Sequence, residues 1–158
     1  NVRIGNVKEG VVMDSVDTAL NLIERYAKLA YLSNGEFLGT DIRDKRVYLS
    51  GTITGEKNYK GLFLFAENLV EFGGAAKIYN PAVQIPAKSS WEQAMNHCLS
   101  EITGYDTVVM LPEWESSSGA LLEHDVALAC GIHVVDFTNN KIIYGLYYAL
   151  KETLEKHL

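Results

Sequence analysis

Asp106-Thr-Val-Val-Met-Leu111 is apolar or β-branched at every position after its first residue. A run so short and so uniformly apolar reads as a strand covered on both faces, the position of a central strand in a parallel sheet. Pro112-Glu-Trp-Glu-Ser-Ser-Ser118 follows as a loop, then a helical pattern to about Cys130 with Gly131 as its stop. Working outward, Arg46-Val-Tyr-Leu-Ser50 is a second β-prone run, ending in the loop Gly51-Thr-Ile-Thr-Gly55. A helical pattern from about Tyr59 to Phe72 closes on Gly73-Gly74, Lys77-Ile-Tyr79 reads as a strand, and Asn80-Pro81 opens a loop. Ser89 or Ser90 suits the cap of a helix through Ile102, ended by Gly104. Residues 132–135 read as a further strand and residues 141–157 as a final helix. Strands alternating with helices predict an α/β fold: a mainly parallel sheet with helices on both faces.

The residues before Arg46 read as an extension. Residues 1–13 carry no clear signal. Asp14 or Ser15 is placed to cap a helix to about Leu32, with Leu20, Ile23, Ala27 and Ala30 at helical spacing and Asn34-Gly35 as its stop; residues 35–45 read as a polar linker. The division is therefore 1–45 as helical extension and linker and 46–158 as the α/β unit, one domain overall, which 158 residues fit.

Composition narrows the partners. The net charge of −6 argues against a nucleic-acid polymer, which calls for a basic patch, but not against a single nucleotide held by backbone N–H groups and hydroxyls. Two cysteines, Cys98 and Cys130, without a C-x-x-C pair make no disulfide framework and suit a reducing cytoplasm. His97, His124, His133 and His157 lack metal-ligand spacing, so no metal is expected. The apolar stretches are too short to span a bilayer and no signal peptide is read, so no membrane partner is expected. The last helix carries Ile142, Ile143, Leu146, Tyr147, Leu150 and Leu154, more apolar surface than one sheet edge needs, which predicts a homo-oligomer.

In parallel sheets ligands bind beyond the carboxyl ends of the strands, where strand order reverses. Two loops there have special composition. In the first, Gly51 and Gly55 allow close backbone approach, with Ile53 between them, and Thr52 and Thr54 offer hydroxyls; the loop is neither a Walker loop nor a G-x-G-x-x-G fingerprint, and an ordinary strand-to-helix turn is the plainer reading. In the second, Ser116-Ser117-Ser118-Gly119 opens a helix, where free N–H groups and hydroxyls favour an anion, although a cap needs only one serine. Glu123 shares a helix stripe with Ala120, Ala127 and Cys130; a carboxylate buried among small residues would need a partner or a raised pKa, whereas one at the rim would keep its head in water. Asp106 is placed to cap or orient the neighbouring loop. Glu113 and Glu115 suit solvated surface. Trp91 and Trp114 suit either stacking on a base or packing as core or lid. Tyr48 points to one face of the sheet, where it also suits the core, and His97 and His124 read as surface helix residues.

Val47-Tyr-Leu-Ser-Gly-Thr-Ile-Thr-Gly55, Tyr79-Asn-Pro81, Trp91-Glu92 and the stretch from Asp106 through Glu123 to Ala127 together resemble the nucleoside 2-deoxyribosyltransferase superfamily, and within it a small branch common in bacteriophage genomes. The resemblance runs from about Arg46 to Asp136. It implies a flavodoxin-like or Rossmann-like three-layer sandwich that cleaves N-glycosidic bonds of nucleosides or nucleotides without a cofactor, in the cytoplasm of a bacterium or an infected one. It places Glu123 as the nucleophile that attacks the anomeric carbon, with Tyr48 in support. It assigns Gly51, Thr52, Ile53, Gly55 and Ser117 to the 5′-phosphate, with Thr54 where the phosphate hydrolases often use arginine; Ser118, Gly119, Asp106 and Trp114 complete the candidate set. Relatives are usually homo-oligomers whose sites lie at or near subunit interfaces. The resemblance breaks eight residues before Asp106, where relatives usually carry an aspartate that handles the base or sugar and this chain has Cys98. A thiol is no substitute for that carboxylate. A non-catalytic binder of a nucleotide-derived molecule, a sponge or sensor, is therefore the competing expectation.

Overall fold

The computed structural model describes residues 11–34 and 39–156. Its elements run α1 (Val11–Asn34), α2 (Gly39–Ile42), β1 (Arg46–Ser50), α3 (Tyr59–Phe72), β2 (Lys77–Tyr79), α4 (Pro81–Gln84), α5 (Trp91–Ile102), β3 (Thr107–Met110), α6 (Ser118–Ala129), β4 (His133–Asp136) and α7 (Lys141–Lys156). The four strands form one parallel sheet in the order β2-β1-β3-β4. Val47 pairs with Ile78 on one side and Thr107 on the other, so β1 and β3 are the inner strands. The α/β architecture is the one expected.

Strand order dictates the layers. The chain steps outward from β1 to β2 through α3, then reverses across β1 to reach β3 through α5. Crossovers of one hand then put α3 and α5 on opposite faces. α6 follows α5, and α7 returns to the face of α3. Two buried clusters record this. Val47, Leu49, Val109 and Leu111 pack with Phe63, Phe65, Leu69, Ile143 and Leu150 of α3 and α7. Tyr48, Val108 and Met110, one position out of phase, pack with Cys98, Ile102, Ala120 and Ala127 of α5 and α6.

Several expectations change in detail. The first helix begins at Val11, about a turn before the caps read at Asp14 or Ser15. Within the supposed linker, α2 buries Ile42 completely, and Leu20 and Ala27 of α1 join the cluster under α3 and α7; the extension thus belongs to the same core as the sheet. Residues 1–10, 35–38 and 157–158, and the readings made on them, lie outside the described residues. Ile143, Leu146, Tyr147, Leu150 and Leu154 of α7 are all buried within the chain. The surplus that suggested an oligomer is consumed by α1 and α3, so that argument falls. No helix among the described residues is long and apolar enough to cross a membrane.

Candidate active site

The strand order reverses between β1 and β3, so their carboxyl ends open a crevice. A cleft of about 580 Å³ lies there, lined by Gly51, Ile53 and Thr54 after β1, by Ser116, Ser117, Ser118 and Gly119 at the start of α6, and by Ser89, Ser90 and Trp91 at the start of α5. Each helix start is locally determined. Ser117 Oγ accepts from Ala120 N at 3.2 Å, capping α6. Ser90 Oγ accepts from Gln93 N while Gln93 Oε1 accepts from Ser90 N, a reciprocal capping box on α5. Two twelve-residue helices thus aim their N-termini at one cleft, where the backbone favours negative charge. Ile85, Pro86 and Ala87 form an apolar rim, and Trp91 is half-exposed beside it.

Glu123 forms the floor. It is 6% exposed, on the first half of α6. Tyr48 Oη donates to its Oε2 at 2.7 Å and Ser50 Oγ to its Oε1 at 2.5 Å. Tyr48 and Ser50 are two apart on β1 and therefore share the face toward α6. Burial pushes the carboxyl pKa of Glu123 up, and the hydrogen bonds from Ser50, Tyr48 and Cys98 work against that push. Burial, then the neighbouring carboxylate, raises the phenol of Tyr48 far above its ordinary range, so it remains a donor. Its ring stacks on Tyr79 at 4.9 Å, and Tyr79 Oη lies 2.7 Å from His97 Nδ1. Cys98 also lines the cleft, and burial pushes its thiol up to about 11, so it is protonated at neutral pH.

The residues singled out in the sequence divide sharply. Gly51, Ile53, Thr54, Ser117, Ser118, Gly119 and Glu123 line the cleft, with Tyr48 directly beneath Glu123. Gly51 leaves no room for a side chain: a Cβ there would stand 2.9 Å from Leu111 Cβ. Thr52 turns away and donates to the carbonyl of Glu113 at 3.2 Å. Gly55 is also off the lining; its φ of +86° in a turn explains the glycine. Trp114 is buried, donates Nε1–H to Asp136 Oδ2 at 3.0 Å and stacks on His124 at 4.4 Å, so it braces the loop as core. Asp106 is a correction of another kind. It precedes β3 and thus stands at the amino end of the sheet, where Arg46 pairs with it through Nη2 (2.9 Å) and Nε (3.2 Å) and donates its backbone N–H. These bonds hold its carboxyl down to about 2. Cys130, expected on the Glu123 stripe, is exposed at the end of α6.

Sequence reasoning missed Ser50 as a partner of Glu123, although it is the buried polar end of β1 and in phase with Tyr48. It also missed the α5 wall of Ala94 and Met95, for which no local signal exists. Among the described residues lining the cleft there is no lysine or arginine; Glu123 is the one carboxylate.

Among curated proteins and among solved structures, nothing matches this chain. A family model does match, over residues 45–136, from the residue before β1 to the last of β4 and so across the whole sheet and both site loops. The chain belongs to the family described as domain of unknown function DUF4406.

Proposed function

We propose that this protein cleaves or transfers the N-glycosidic bond of a nucleoside or nucleotide, with Glu123 as nucleophile. The observation that carries the reading is a carboxylate buried at the floor of the cleft, one hydroxyl on each oxygen. Ionised carboxylate oxygens together offer about four lone-pair sites, so acceptance from Tyr48 and Ser50 leaves lone pairs free for attack. A Glu123 oxygen attacks the anomeric carbon; the C–N bond breaks with its electron pair going to the base, giving a glycosyl ester that water or a second base then resolves. The N-termini of α5 and α6 and the serine hydroxyls would hold a phosphate or ribose, and Trp91 would flank the base. The resemblance to the nucleoside 2-deoxyribosyltransferase superfamily supports this assignment. A homo-oligomer belongs to the same reading; Leu121, Leu122 and Leu128 on α6 are exposed apolar surface available to it.

The test is incubation with the common 2′-deoxynucleosides and their 5′-monophosphates, following free base by chromatography. Base release is expected from the wild type, rising with pH as Glu123 ionises. It should fall about a thousandfold or more in Glu123→Gln, which keeps the shape but lacks the anionic nucleophile. Retained activity in that variant refutes the nucleophile. One observation favours a second reading, a non-catalytic nucleotide binder: the residue beside Glu123 is a protonated thiol, Cys98, which offers a departing base no carboxylate. Tight binding by mass spectrometry with no base released would select it.

A further inference from the structure

We propose that Lys151 of α7 is a positioning residue that holds the two cleft loops at their working separation, by bridging Glu56 after the first loop and Glu113 in the second. This rests on the cleft being the ligand site. Lys151 Nζ lies 2.8 Å from Glu113 Oε1 and 3.2 Å from Glu56 Oε1, with its side chain 19% exposed. An ammonium with three donors suits two carboxylate partners. Burial opposes the charge, but the hydrogen bonds to Glu113 and Glu56 outweigh it and keep the lysine pKa above its ordinary value. Glu113 joins the loops through its backbone as well. It adopts a left-handed conformation (φ +69°), and its carbonyl accepts from Thr52 Oγ1 at 3.2 Å and from Ser116 Oγ at 2.9 Å. Glu56 caps its own turn, accepting from Asn58 N at 3.1 Å, just before cleft-lining Tyr59. One cation therefore fastens both walls to a helix that lies outside the family match. Without it two carboxylates face each other across the loops and repel.

The experiment is amide hydrogen exchange on the full-length chain without ligand. Lys151→Met should raise exchange in residues 51–56 and 113–117 about tenfold or more relative to the sheet, Lys151→Arg should restore wild-type protection to within about threefold, and adding Glu56→Gln and Glu113→Gln to Lys151→Met should recover part of it by removing the repulsion. Unchanged exchange in both loops of Lys151→Met overturns the proposal. Should that variant lose its circular-dichroism signature, the Glu56→Gln/Glu113→Gln protein carries the same comparison. With an equimolar mixture of the four common 2′-deoxynucleoside 5′-monophosphates as probe, Lys151→Met should raise KM about tenfold and leave kcat within about threefold. A general structural defect would lower kcat as well. A wild type that releases no base defeats the glycosidic reading, while the exchange data still decide the role of Lys151.

Discussion

Replacing Glu123 by glutamine should stabilise the protein at alkaline pH. Glu123 is 6% exposed, and withdrawing a carboxylate from water costs several kcal/mol even after relaxation. The hydroxyls of Tyr48 and Ser50 return about 1.5–3 kcal/mol each. The balance stays against the anion, because its pKa is raised above the ordinary 4.5. Between pH 4.5 and the folded pKa the native state therefore binds more protons than the unfolded one, and stability falls as pH rises through that window. Each unit of elevation is worth about 1.4 kcal/mol. Glutamine is neutral throughout and nearly isosteric, so the variant should match the wild type near pH 4 and exceed it at pH 8. The gain is read as a higher Tm at pH 8 and an equal Tm near pH 4, at about 2–4 °C per kcal/mol for a chain of this size, by differential scanning calorimetry at the two pH values. A glutamine variant less stable at pH 8, or a gap independent of pH, would refute the claim that a disfavoured anion is held at the cleft floor.

Three further outcomes follow from the same geometry. Ser117→Ala removes the cap on Ala120 N and should lower stability by about 1 kcal/mol in urea unfolding; calorimetric titration should show a greater loss of affinity for 2′-deoxynucleoside 5′-monophosphates than for the unphosphorylated nucleosides, and equal losses would remove the phosphate from this helix. Gly51→Ala drives a methyl to 2.9 Å from Leu111 Cβ and 3.3 Å from Phe63 Cζ, and should cost about 1–3 kcal/mol with an unchanged denaturant slope. Asp106→Asn, at the opposite end of the sheet, should leave ligand affinity within about twofold of the wild type; a larger loss would place the amino end in the site.

What the sequence determined was periodicity and punctuation. The apolar runs at 47–49 and 107–111, the stop at Gly73-Gly74 and the serine caps at Ser90 and Ser117 are local devices, decided within a few residues, and they place all four strands and the main helices near their observed bounds. Glu123 was legible for the same reason: a carboxylate among Ala120 and Ala127 contradicts its own stripe. Strand order, and with it the point along the carboxyl edge where the cleft opens, is a non-local matter. Asp106 read as the first residue of a strand and a brace for the neighbouring loop; the fold sets it at the amino end of the sheet, in the grip of Arg46 sixty residues away. Thr52 and Trp114 have the composition of ligand contacts, but their hydroxyl and indole N–H are taken by Glu113 and Asp136, partners that only packing supplies. The same holds for α7, whose apolar stripe reads as spare surface until α1 and α3 cover it, and for Lys151, an ordinary helix lysine until the fold sets Glu56 and Glu113 on either side of it. Hydrogen-bond partners and burial depend on contacts between distant segments, and those are settled when the layers close.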